Sequence, residues 1–410
     1  MYPALAVAAA LRELVFANAE GDSRPHNPPN QGVVASVQGA TSVTPPPNNV
    51  VYVGSADGME RQLVPQESDL PFRAIPAAAL RGRAPWTLVR NLGTMARGTR
   101  VAQQLIDELR PTAILGTGGY VCVPLFLAAR NAGIPTIIYL PDVIPGMAVK
   151  LLARLSTWIA CNVEDSASHF GFIKPAHGST NLQSKMRVVG YPVRAELFEQ
   201  DQPACRAAFD LDDDLPVVFV NGGSRGARSI NKAVATLLEH LLPFTQIIHM
   251  CGREGDEQFL QEAAARLPNN LQTRYRLYPY LYSKSAATTP TMIGAFGAAT
   301  LVVCRSGAST MAELPAAQLP AILIPYPYVN QEANADYLVR HGAAMKIQDS
   351  AMLGDGRPEE GPLYQAILRL LTKHEERTYM SERGCMLARP DAAQSLASML
   401  FDVAARRSPA

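Results

Sequence analysis

Three short runs in this 410-residue chain have the residue types to hold an anion. They are Gly116-Thr117-Gly118-Gly119-Tyr120, Gly222-Gly223-Ser224-Arg225-Gly226-Ala227, and Arg305-Ser306-Gly307-Ala308-Ser309-Thr310-Met311-Ala312-Glu313. Each follows an apolar run that reads as a buried strand. Glycine lets backbone N–H groups approach a phosphate closely, and the dipole of the helix that follows attracts negative charge. None is a G-x-G-x-x-G or P-loop run, and the Gly222 run taken alone reads as a structural strand-to-helix turn. Glu313 lies one turn into its helix, where a carboxylate could accept both hydroxyls of a ribose. The same carboxylate could instead close a capping box with Ser309 or Thr310. Three such runs at strand ends point to a phosphate-rich ligand, because open parallel sheets bind ligands beyond the carboxyl ends of their strands.

The elements that must position these loops alternate along the chain. A helix is predicted from Pro3, with Leu5, Ala8, Leu11 and Val15 on one face. Buried-strand candidates follow at Val50–Val53, Ala113–Leu115, Thr136–Tyr139 and Trp158–Cys161. A second series lies at Val217–Val220, Thr245–His249, Leu301–Cys304 and Ala321–Ile324, and amphipathic helices close the chain at about 362–373 and 391–405. Short continuous apolar strands separated by helices indicate parallel sheets covered on both faces. Residues 20–48 are rich in Pro, Gly, Ser and Asn and read as a surface loop. The reading is therefore α/β, two Rossmann-like doubly wound domains facing a cleft. The domains are 1–195 and 196–385, with a final helix, 386–410, packing back towards the first.

Composition narrows the function. At 48% hydrophobic and 18% charged residues, wholesale disorder is excluded. A net charge of +1 argues against nucleic acid as a partner, although residues 1–195 carry +5 and the remainder −4. Six scattered cysteines and seven histidines show no metal-ligand spacing, so reduced thiols in a cytosolic protein, and no metal, are expected. No secretory signal is expected at the amino terminus. The uncharged stretches 111–129 and 285–304 are broken by Gly, Pro and Thr and read as strand, loop and helix rather than membrane spans.

Six motifs in order carry a family resemblance: Tyr2-Pro-Ala-Leu-Ala-Val-Ala, Gly116-Thr-Gly-Gly-Tyr120, Gly190-Tyr-Pro-Val-Arg194, Gly222-Gly-Ser-Arg-Gly-Ala227, Arg305-Ser-Gly-Ala-Ser-Thr-Met-Ala-Glu313 and Gln331-Glu-Ala-Asn-Ala335. Together they resemble the MurG family, peripheral-membrane N-acetylglucosaminyltransferases of peptidoglycan synthesis, over nearly the whole chain. The resemblance implies a GT-B fold with the nucleotide-sugar in the carboxy-terminal domain. It implies inverting transfer of GlcNAc from UDP-GlcNAc to the muramyl C4 hydroxyl of undecaprenyl-linked lipid I, giving lipid II, on the cytoplasmic face of the cell membrane. By the same matching, Arg194, Ser224, Leu281, Ala308, Ser309, Thr310, Glu313 and Gln331 are expected to contact UDP-GlcNAc. Asn334, in the same Gln-x-x-Asn motif, is expected to bind sugar hydroxyls. Gly118, Gly119 and Tyr120 are expected on the acceptor side. Departing UDP would be stabilised by preorganised N–H dipoles, with no cofactor.

Two departures from the family matter. Tyr139-Leu-Pro-Asp142 stands where many members have His-Glu-Gln-Asn, so Asp142 replaces a donor-contacting Asn. It could serve as base for the attacking hydroxyl or cap the helix after Pro145-Gly146. The family also opens with a strand and a glycine-rich loop ending in His before the segment matched by Tyr2-Pro3. The expectation is that Met1 is a misplaced start and that the natural protein extends upstream by a strand plus a loop. Asp212-Asp213-Asp214 matches an acidic metal motif by letters only and reads as solvated.

Residues 70–106 hold six arginines and no Asp or Glu, with apolar residues interleaved. Arg81, Arg83, Trp86 and Arg90 there are expected to meet an anionic membrane surface. Two rival functions remain: a UDP-GlcNAc 2-epimerase of the same fold, which needs no acceptor, and an inactive nucleotide-sugar-binding remnant.

Overall fold

The computed structural model describes residues 2–21, 50–56, 58, 60–78, 85–170, 182–282 and 290–405. The chain forms two compact units, one of Met1–Leu140, Pro145–Pro192 and Asp391–Ala410, the other of Pro141–Ile144 and Val193–Pro390.

The first unit contains strands β1 (Tyr52–Ser55), β2 (Phe72–Ile75), β3 (Ile114–Gly116), β4 (Thr136–Leu140), β5 (Trp158–Cys161) and β6 (Met186–Val188). β1 and β2 pair in parallel, and β3-β4-β5-β6 form a separate parallel sheet. Every residue of β4 is buried, which is why that strand is legible as an unbroken apolar run. Helices Pro85–Leu109 and Cys122–Asn131 cover the β3–β6 sheet, burying Met95, Ala102, Ile106, Val123 and Phe126 in one core with Ile138 and Ile159. The helix Tyr2–Gly21 packs against the closing helix Ala392–Ala405. It includes the first two residues of the loop predicted at 20–48, and the rest of that loop lies outside the described residues.

The basic stretch 70–106 contains β2 as well as most of the helix Pro85–Leu109. Arg73 sits on β2, 3.9 Å from Glu108 at that helix's far end. The stretch 111–129 divides into β3, a turn and the helix Cys122–Asn131. Among the described residues no helix is long and apolar enough to cross a membrane.

The second unit contains β7 (Val217–Asn221), β8 (Gln246–Met250), β9 (Tyr275–Tyr278), β10 (Leu301–Cys304), β11 (Ala321–Leu323) and β12 (Ala344–Lys346). Their order across one parallel sheet is β12-β11-β10-β7-β8-β9. Counted from β7 this is the Rossmann order, and the direction of winding reverses between β7 and β10, opening a crevice at their carboxyl ends. Alternate side chains feed opposite layers. Val218 and Val220 pack with Ile230, Val234, Leu237, Leu363 and Ile367 from the helices Arg228–Leu241 and Pro362–Thr372. Phe219 points the other way and meets Phe296 edge-on at 5.3 Å between centroids.

Candidate active site

β7 ends at Asn221, whose Oδ1 accepts the Gly223 N–H at 2.7 Å, and the Gly226 N–H returns to the Gly223 carbonyl at 2.9 Å. The turn is thereby closed by its own groups before the helix Arg228–Leu241 begins. Gly226 has φ of 88°, and a Cβ there would lie 2.1 Å from the Cys251 carbonyl oxygen. This loop and the loop after β8 therefore meet backbone to backbone at Gly226 and Gly252. Ser224 stands exposed at the tip, and its carbonyl takes the Arg253 N–H at 3.4 Å.

Beneath the two loops Asn231 is buried, donating at 2.9 Å to both the Cys251 carbonyl and Asp256 Oδ2. Its Oδ1 faces His249 Nε2 at 3.0 Å, while His249 Nδ1 lies 2.8 Å from the Tyr275 hydroxyl. Burial pushes the His249 pKa down to about 3, so the ring is neutral. Amide oxygen can only accept, so Nε2 carries the proton and Nδ1 accepts from tyrosine.

β10 delivers the Arg305–Glu313 run. Arg305 Nη1 donates to the carbonyls of Ile324 at 3.1 Å and Pro325 at 3.3 Å, and to the Asp349 carboxylate. Its Nη2 donates to the Ser229 hydroxyl at 2.7 Å. One guanidinium thus ties the loop after β10 to the loop after β11 and to the helix after β7. The sequence reading placed Arg305 in a motif without a role, because its partners lie 19 to 76 residues away.

The helix Thr310–Ala316 has Ser309 at its cap position, yet no side-chain cap bond forms. Thr310 Oγ1 donates back to the Arg305 carbonyl at 3.0 Å. Ser309 instead hydrogen-bonds the half-buried Glu313 carboxylate, so the capping box is not made. Burial raises the Glu313 pKa, against the Ser309 hydrogen bond and the positive charge of Arg194. Ala308 lies half-buried in the turn just before.

After β11 an exposed loop, 326–330, leads into the helix Gln331–Arg340. Gln331 Oε1 accepts the Tyr326 N–H at 2.9 Å, and the Gln331 carbonyl accepts from Ser306 Oγ at 2.8 Å. Asn334 is buried and its amide is engaged by protein groups. Its Nδ2 donates to Asp142 Oδ1 at 2.8 Å and to the Ser306 carbonyl at 3.1 Å, and its Oδ1 accepts the Val143 N–H at 3.0 Å. Asp142 belongs to the short segment Pro141–Ile144 of this unit. Burial raises its pKa and the Asn334 amide opposes the rise. The helix Met147–Leu155 starts at Gly146 with no side-chain cap, so Asp142 does not cap it.

Leu281 follows β9, is buried, and donates its N–H to Met250 Sδ at 3.4 Å. Beside it the Arg253 guanidinium lies 4.0 Å over the Tyr280 ring and donates to the Tyr282 hydroxyl at 2.9 Å. The fold therefore brings Ser224, Ala308, Ser309, Thr310, Glu313, Gln331 and Asn334 to the carboxyl ends of β7, β10 and β11. Leu281 lies beyond the edge strand β9. Asp212, Asp213 and Asp214 are exposed, and Asp212 Oδ1 is turned onto the Asp214 N–H at 2.9 Å.

Gly118, Gly119 and Tyr120 belong to the first unit, in the turn after β3, with Gly119 and Tyr120 exposed. Arg90 is exposed, whereas Arg81, Arg83 and the side chain of Trp86 lie outside the described residues. The sequence reading missed a second basic and apolar face. Met147, Lys150, Leu151 and Arg154, at i, i+3, i+4 and i+7 of the helix Met147–Leu155, are all exposed. Their spacing was the available signal.

Residues 217–396 match the model of the glycosyltransferase family 28 C-terminal domain, and residues 46–161 match that of the N-terminal domain. A protein of Roseiflexus sp. (strain RS-1) is 53% identical over 100% of this chain and 94% of its own length. Its name is UDP-N-acetylglucosamine--N-acetylmuramyl-(pentapeptide) pyrophosphoryl-undecaprenol N-acetylglucosamine transferase. The protein of the same name from Bacillus subtilis (strain 168) is 30% identical over 86% of this chain and 90% of the relative. The crystal structure of Acinetobacter baumannii MurG superposes with a TM-score of 0.61 at 25% identity, covering 86% of this chain and 90% of that one. A UDP-GlcNAc 2-epimerase from Neisseria meningitidis gives a TM-score of 0.57 over 85% of this chain and 90% of its own. At 12% identity that likeness is one of fold alone.

Proposed function

The chain belongs to glycosyltransferase family 28 and to its MurG transferases, and on that premise we propose how its own residues carry the reaction. The protein has the GT-B fold and moves GlcNAc from UDP-GlcNAc to the muramyl C4 hydroxyl of lipid I, with inversion, to form lipid II. The acceptor oxygen attacks C1 of GlcNAc, the C1–O bond to the diphosphate breaks with its electron pair going to UDP, and the hydroxyl proton goes to a base.

The observation that carries the residue-level reading is the set of loops at the β7/β10 crevice. The turn Gly222–Ala227 and the run Ala308–Thr310 hold the diphosphate through backbone N–H groups and the Ser224 and Ser309 hydroxyls. Donors fixed before the reaction stabilise the charge that UDP gains. Glu313 accepts from the ribose hydroxyls, supported by the counter-charge of Arg194. Backbone at Leu281 meets the uracil edge. Gln331, with its oxygen already turned to Tyr326, offers its amide N–H groups to a sugar hydroxyl. Asp142 is the base, since burial lifts its pKa towards the range in which a carboxylate takes up a proton readily. Gly118, Gly119 and Tyr120 line the acceptor side.

The site of action is the cytoplasmic face of the membrane, where the lipid-linked acceptor resides. Exposed Arg90 and the face Met147, Lys150, Leu151 and Arg154 support that reading, since cations beside apolar tips bind anionic lipid. The deciding assay is UDP release by the purified chain. Release is expected only with UDP-GlcNAc and a lipid I analogue together. Conversion of UDP-GlcNAc to its 2-epimer without acceptor, or UDP binding without any turnover, would overturn it.

A further inference from the structure

We propose that Asn334 is a positioning residue for Asp142, gripping the segment Pro141–Ile144 through both ends of its amide and so fixing the carboxyl that receives the acceptor proton. The proposal rests on the reading of Asp142 as the base and deepens it.

A side chain meant for a sugar keeps a donor or acceptor facing the ligand. Asn334 does the reverse. Both amide hydrogens are used inside the protein, on Asp142 Oδ1 and the Ser306 carbonyl, and its oxygen holds the Val143 N–H. Two of these three bonds fall on adjacent residues of one four-residue segment, which fixes that segment's orientation as well as its position. The geometry also links base and donor. Ser306 holds the helix that carries Asn334 from both sides, its hydroxyl on the Gln331 carbonyl and its own carbonyl on Asn334 Nδ2. The Asp142 carboxyl is thereby linked to the Gln331 carbonyl through the Asn334 amide and then the carbonyl and hydroxyl of Ser306.

The amide has a chemical effect too. An N–H donated to a carboxylate favours its ionised form, and burial favours the neutral one. Burial raises the Asp142 pKa and the Asn334 amide opposes the rise, so the hydrogen bond that holds the carboxyl in place also bears on the pH at which the base begins to work.

The test uses the full chain with UDP-GlcNAc and a lipid I analogue, recording kcat against pH, with donor Kd measured separately by calorimetry. Asn334→Asp places a second carboxyl against Asp142, and two such groups cannot both ionise. The acidic limb of kcat is expected to move up by about one pH unit or more, with the Kd for UDP-GlcNAc within about twofold of wild type. Asn334→Ala, which only deletes the hydrogen bond, is expected to move the limb the same way by less. Limbs that stay in place in both variants would overturn the proposal. A Kd weakened about tenfold with the limb in place would overturn it also, and would make Asn334 a sugar contact. Asp142→Asn separates this failure from that of the underlying reading: wild-type turnover in Asp142→Asn removes the base itself, and the proposal with it.

Discussion

Gln331 and Tyr326 share one hydrogen bond, from the Tyr326 amide to Gln331 Oε1 at 2.9 Å. The oxygen holds the exposed loop before the helix, and the proposed function gives the nitrogen to the donor sugar.

That division predicts two outcomes at one position. Gln331→Glu keeps an acceptor for Tyr326 but loses the donor to the sugar. It should weaken UDP-GlcNAc binding by about 1 kcal/mol while leaving UDP binding unchanged. Titration calorimetry with both ligands checks it, and equal losses for UDP and UDP-GlcNAc would place Gln331 away from the sugar.

Glu313 is predicted to behave differently, because its proposed partner is the ribose that both ligands carry. Glu313→Ala should weaken UDP and UDP-GlcNAc alike, by ~1–3 kcal/mol. A folded variant with unchanged affinity for both would refute the ribose role.

The same carboxyl has a stability signature. Burial raises its pKa in the folded chain, so between the unfolded and folded values the native state holds the proton more tightly. Stability credited to the protonated form is present at acid pH and is lost as pH rises through the folded pKa. Glu313→Gln carries no such loss. Its Tm advantage over wild type should therefore widen from about pH 4 towards neutrality, and an advantage confined to acid pH would show that burial does not dominate at this site.

Gly226→Ala is expected to damage fold and function together. It puts a Cβ 2.1 Å from the Cys251 carbonyl oxygen, at a φ of 88° that L-residues avoid. A cost of at least ~1–3 kcal/mol in urea unfolding is expected, with weakened UDP binding as the two loops separate. Unchanged unfolding would mean that the loops part without cost.

Replacing both Met147 and Leu151 with Glu should reduce sedimentation with anionic vesicles without lowering Tm, because the two side chains are 61% and 39% exposed. Raised salt should reproduce part of the loss through Lys150 and Arg154. Vesicle binding equal to wild type would move the membrane face elsewhere.

What the sequence made legible follows from burial. β7, β8, β10 and β11 lie inside the six-stranded sheet, and their largely apolar runs, with buried Gln246 and His249 in β8, fall within a residue of the predicted strands. β9 and β12 are its edges, β6 is an edge of the first unit's larger sheet, and β2 belongs to a sheet of two strands. With half-exposed residues and charges such as Arg73, Arg187, Arg276 and Lys346, they match neither a buried nor an alternating pattern. The glycine loops were readable as turns after strands. The partners of Asn334 and Arg305 were not, since one side chain reaches Asp142 across 192 positions and the other Ser229 across 76. Contacts of that span exist only once the sheet order is set.

The pairing of the helices Tyr2–Gly21 and Ala392–Ala405 also decides the order in which the molecule can be born. The helix Tyr2–Gly21 is synthesised well before its partner. At roughly 5–20 residues per second the interval is on the order of tens of seconds. All of Val193–Pro390 emerges within it, so the later-written unit can close while the earlier one still waits for its last helix. A ribosome that stopped just short of Ala392 would leave the helix Tyr2–Gly21, made long before, without the partner it packs against.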